Sequence, residues 1–153
     1  MVERADPARA GVKAGRVVGV LTACLSVAAL LGARHTYYEQ MARLTTLAGV
    51  GGAPVGAIFW GNVALTAAAR YTLAYVGGSL VGVVYDWLDR PSLAALTVLV
   101  LVVGSVDAAV AAVDTHSAAF GAGFLVAWLC YVPAFAYAFD GEGADRDGPL
   151  RLE

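Results

Sequence analysis

The sequence predicts an all-α, polytopic integral membrane protein, with four transmembrane helices in a small bundle and short polar tails. Three observations carry that expectation. Hydrophobic residues make up 59% of the 153 and charged residues only 14%, whereas a soluble domain carries about 45–50% apolar and about 25% charged residues. Apart from Arg70 and Asp107, the charges lie in residues 1–16, in residues 140–153 and in short connections. Between them run four apolar stretches, each long enough for the ~20 residues that cross ~30 Å of hydrocarbon.

The spans read as residues 12–33, 59–85, 93–113 and 118–139. Residues 1–11 form an N-terminal tail and residues 140–153 an acidic C-terminal tail. The second span has the softest start. Apolar character begins at Leu47, but TTLAGVGGAPVG is rich in glycine and contains Pro54, and both residue types punctuate helices. Residues 47–58 therefore read as a connection outside the membrane or as a re-entrant segment. Pro91 stands where the third helix would start, a position at which its missing N–H costs nothing. Pro133 should bend the fourth span, because it removes one helical bond and crowds the preceding turn. Trp128 and Tyr131, close by, need partners for their N–H and O–H.

Lysine and arginine concentrate on the cytoplasmic side of membrane proteins. Arg4, Arg9, Lys13, Arg16, Arg90, Arg146 and Arg151 fall on one side of this chain, and only Arg34 and Arg43 on the other. Both termini are therefore expected in the cytoplasm of a multi-pass protein of the cell membrane. Tyr37, Tyr38, Trp60, Tyr85, Trp87, Tyr137 and Phe139 suit an interfacial aromatic belt. LTAC, residues 21–24, matches a lipoprotein signal, but the chain stays apolar after Cys24 instead of turning polar, which argues against processing. Cys24 and Cys130 both fall inside spans and read as small packing residues.

The bilayer is the first partner implied. A net charge of −2 with no basic stripe argues against nucleic acid. Arginine outnumbers lysine nine to one, a usage that resembles chains from halophilic archaea or actinobacteria. Nothing in the sequence calls for a cofactor, and no zincin, nucleophile-elbow, P-loop or Rossmann pattern is present.

The residues out of place are Arg70, in AAARYTL, and Asp107, in GSVDAAV. A charge near the bilayer centre costs ~2.5–3.5 kcal/mol or more and faces a partner or a wet cavity. Counted from the span ends at 1.5 Å per residue, Arg70 lies ~16 Å deep and Asp107 ~9 Å deep, a gap an arginine can reach across. Asp107 and Asp114 are close to two helical turns apart and share a face. With His116, and with Asn62 on the second span, they read as a polar line running inward to Arg70. The line admits three uses: an internal ion pair that fixes helix packing, a half-channel with Asp107 as its titrating carboxylate, or a metal site. His35 and Glu39, four apart in RHTYYEQ, and His116 are the weak ligand candidates for the last.

Gly11, Gly15 and Gly19, and Gly78 and Gly82, recur at four-residue spacing, which lets helix backbones approach closely. They serve packing within the chain, homo-oligomerisation or docking in a larger membrane complex. Gly11, beside Lys13, is expected outside the bilayer. Taken together, the residues point to a non-enzymatic subunit or assembly partner in the membrane. The alternative is a small oligomeric channel or transporter for protons or ions built on Arg70 and Asp107.

Overall fold

The structure is a computed structural model that describes residues 6–49 and 54–144, without the side chains of 140–144. The described residues form six helices and no strand: α1 (Pro7–Gly32), α2 (Arg34–Leu47), α3 (Val55–Trp87), α4 (Leu93–Thr115), α5 (Ala118–Leu129) and α6 (Tyr131–Ala144). Four units are long and apolar enough to cross a membrane: α1, α3, α4, and α5 with α6 as far as Phe139. The chain is thus a multi-pass membrane protein.

The helix limits differ from the expected ones for local reasons. α1 begins at Pro7 rather than residue 12, because Asp6 caps it by accepting from the Ala8 N–H at 3.0 Å and Pro7 has the φ of a first helical residue. α2 occupies what reads as a connection, and it buries none of its residues. Tyr37 and Tyr38 lie against Phe59, with ring centroids 5.3 Å away in each case. α3 has 33 residues, ~50 Å at 1.5 Å each, which exceeds the hydrocarbon thickness. Its first turns lie beside α2. Leu47 ends α2 and Val55 opens α3. A re-entrant segment in 47–58 would centre on residues 50–53, which lie outside the described residues, as do Arg4, Arg146 and Arg151.

Ser92 caps α4, accepting from the Ala95 N–H at 3.4 Å. His116 closes it in the left-handed region, at φ 50°. The fourth span breaks at Cys130 into α5 and α6. Pro133 causes the break from three residues downstream: it offers no N–H to the Leu129 carbonyl, and its ring crowds that turn.

α1 is the centre of the bundle. It packs along α3 on one side and against α5 and α6 on the other, and α4 packs on α5. α3 and α4, although consecutive, touch little. Glycine sets the α1–α3 distance. A Cβ built on Gly78 would lie 2.5 Å from the Gly15 Cα, and one on Gly11 would lie 2.8 Å from the Gly82 Cα. Gly19 meets Tyr71 in the same way. Gly11 is therefore a contact residue, because α1 starts early enough to carry it alongside Gly82. Thr22 and Ser26 on the same helix are buried, and each returns its hydroxyl to a carbonyl one turn earlier: Thr22 to Val18 at 3.0 Å and Ser26 to Thr22 at 2.9 Å. The core continues through Val18, Leu96, Val100, Trp128, Tyr131 and Phe135. Leu65, Leu80, Val98 and Val126 are exposed on the outside, as a lipid-facing surface requires.

These contacts make a graded prediction. Gly78→Ala should destabilise the protein by ~1–3 kcal/mol through overpacking. Gly61→Ala, where an added Cβ meets nothing within 4 Å, should be neutral or slightly stabilising. Unfolding midpoints in mixed detergent would check both.

Candidate functional site

Halfway along the bundle α3, α4 and α5 converge on one carboxylate. Asp107 accepts from Arg70 Nη1 at Oδ1, at 2.5 Å, and from Trp128 Nε1 at Oδ2, at 2.9 Å. Arg70 Nη2 also points to Asp114 Oδ2 at 3.4 Å. The guanidinium lies over the Phe124 ring, 5.0 Å from its centroid. The shared face of Asp107 and Asp114 is thus used by a single side chain, whose two terminal nitrogens fork across two turns of α4. The Arg70 and Asp107 side chains keep 17% and 24% of their surface exposed, while Asp114 keeps 62%. The inner pair is half-sealed and the outer carboxylate is wet.

Small residues make this convergence physically possible. A Cβ on Gly104 would lie 2.7 Å from the Trp128 Cβ. Gly104 therefore lets the Trp128 side chain lie close against α4, one turn from Asp107. Gly121 lets α5 approach Ala108 and Ala112 of α4 in the same manner. One turn below, the buried Tyr131 hydroxyl donates to the Gly78 carbonyl at 2.7 Å. It ties the broken fourth span to the glycine contact.

Two cavities meet at Arg70. One, of about 510 Å³, lies at the end of the bundle near the α4–α5 turn. Ser26, Thr66, Asp114, Thr115 and His116 supply its polar lining, Phe120 and Phe124 part of its apolar lining, and Arg70 is among its walls. The other, also about 510 Å³, is a cleft between α3 and α4 lined by Leu73, Gly77, Val102, Val106, Asp107 and Trp128 among others, again with Arg70. Arg70 lines both the end cavity, which mixes polar and apolar side chains, and the apolar cleft.

Asn62 is half-buried two turns toward the α2 end from Arg70 and does not line either cavity. His35 and Glu39 are exposed on α2, and His116 is exposed at the end of α4. Among the described residues no three His, Cys, Asp or Glu side chains gather as metal ligands, so His35, Glu39 and His116 do not form a shared site. Cys24 and Cys130 are free thiols. The residue that sequence reasoning passed over as a ligand of Asp107 is Trp128. The signal was present: an indole N–H deep in an apolar span needs an acceptor, and Asp107 is a carboxylate at comparable depth. Comparison with protein families, curated proteins and solved structures finds no match to this chain.

The two aromatic donors should separate by experiment. Trp128→Phe leaves a half-buried carboxylate oxygen without its donor and should cost ~1–3 kcal/mol, whereas Tyr131→Phe should cost only ~0.5–1.5 kcal/mol, because the Gly78 carbonyl keeps its helical partner. Detergent unfolding of the two variants side by side would reveal the order.

Proposed function

We propose that this chain is a small non-enzymatic subunit or assembly partner of the cell membrane, with both termini in the cytoplasm. The observation that carries this reading is the internal use of the deep charges. Arg70 and Asp107 are spent on each other, and Trp128 takes the second carboxylate oxygen. Polar groups that are mutually satisfied within one chain hold helices in register. Homo-oligomerisation or docking in a larger complex would then use the outer helix faces, since the glycine faces of α1 and α3 are occupied by each other.

A second reading has one observation in its favour. The end cavity reaches Arg70 from the Asp114 side, so water or a small cation entering there would stop one side chain short of Asp107. In that reading Asp114 and His116 form the mouth of a half-channel, and an oligomer or a movement of Arg70 completes the path.

A double-mutant cycle separates the two. In the structural reading Arg70→Ala destabilises by at most ~3–5 kcal/mol, because it leaves Asp107 without its charged partner, and Asp107→Asn costs less, because Arg70 keeps Asp114. The double variant recovers a coupling energy of ~0.5–3 kcal/mol. Proteoliposomes holding the native protein should show no proton or cation flux above empty vesicles. Flux that Asp107→Asn abolishes would replace the subunit reading with the channel. Orientation is checked separately in a cysteine-free background. Thr45→Cys on α2 should react with an impermeant maleimide on intact cells, while Leu88→Cys should react only after permeabilisation. The reverse pattern would invert the topology.

A further inference from the structure

We infer that the cleft between α3 and α4 is a binding site for a hydrocarbon chain of a membrane lipid, and that this chain forms the missing wall of the Arg70–Asp107 pair. The first support is position. On α4 the cleft is lined from Val102 to Val110, the central portion of a helix that runs from Leu93 to Thr115. At that depth the surrounding medium is hydrocarbon. The mouth is open, because Leu73, Val102 and Val106 are 67%, 61% and 64% exposed.

Size decides between occupants. One turn of a helix, 5.4 Å tall and 10–12 Å across with its side chains, occupies roughly 420–610 Å³. A cleft of about 510 Å³ therefore accepts about one turn, and a partner's spanning helix would seat only a small part of its length in it. A hydrocarbon chain is thinner and can bend into it. Chemistry agrees with size. Both carboxylate oxygens of Asp107 already hold a donor, and Trp128 directs its N–H to Asp107, so the cleft offers a neutral apolar chain more than it offers a headgroup.

The consequence concerns the charges. α3 and α4 scarcely pack on each other, so protein atoms alone leave the pair open on the cleft side. A lodged chain closes that side and keeps water that enters the end cavity from passing Arg70. The ion pair then depends on which lipid chains surround the protein.

Trp128 reports on the site because it lines the cleft and is otherwise buried, at 3% exposure. In a Trp60→Phe/Trp87→Phe background it is the sole indole. That protein would be reconstituted into phosphatidylcholine vesicles brominated either near the chain end or near the carbonyl. The expected result is a greater loss of Trp128 emission with bromine near the chain end, little loss with aqueous acrylamide, and a marked reduction of the bromine effect when Val106→Phe fills the cleft. Leu73→Phe on the opposite wall serves the same purpose if Val106→Phe does not fold, with circular dichroism as the check. The inference is overturned if neither brominated lipid quenches Trp128, if acrylamide quenches it more strongly than they do, or if the filled cleft leaves the bromine effect unchanged.

Discussion

The Asp107 carboxylate is the constraint around which the bundle is arranged. Among apolar helices few groups stand ready to satisfy a charge, so a carboxylate there recruits donors from the chain itself. It recruits Arg70 from α3 and Trp128 from α5. The first link matters most for architecture. α3 and α4 are joined by a short turn yet barely touch, so the ion pair ties together two helices that packing leaves apart. Removing Arg70 would leave Asp107 with Trp128 as its only side-chain donor among the described residues.

Close backbone contact supplies the complementary force. Glycines on α1 and α3 bring the two helices together where side chains of any size would collide, and dispersion over that contact replaces the hydrophobic drive that lipid cannot provide. Tyr131 couples this contact to the polar centre. It donates to Gly78 within the glycine seam and sits one turn from Trp128. The break at Cys130 lies between the two aromatics. A straight α5–α6 would aim them differently, so Pro133 acts on both links at once.

The result is an asymmetric molecule. Along α1 and α3 it is tight, and along the α3–α4 side it is open, with a mixed-lined end cavity on one side of Arg70 and an apolar cleft on the other. That asymmetry is what gives a subunit, a channel and a lipid-lined ion pair their separate, testable signatures. A uniformly packed four-helix bundle would have offered none of them.

Much of this was legible in the residues. Composition alone predicts the all-α membrane bundle, because ~20 apolar residues in hydrocarbon have little option but a helix. The cost of a buried charge singles out Arg70 and Asp107, and helical periodicity puts Asp114 on the same face. Four-residue glycine spacing marks a close contact, though not whose. Only the tertiary structure decided that Gly11, Gly15 and Gly19 meet α3 of the same chain, that α2 is a helix lying against Phe59, and that His35, Glu39 and His116 stay apart. It alone revealed Trp128 as the second donor and the two cavities that meet at Arg70. The physical reason is distance along the chain. Periodicity and burial cost act within one helix and can be read locally, whereas a partner 21 or 37 residues away is chosen by how helices pack, and that is not written in any single segment.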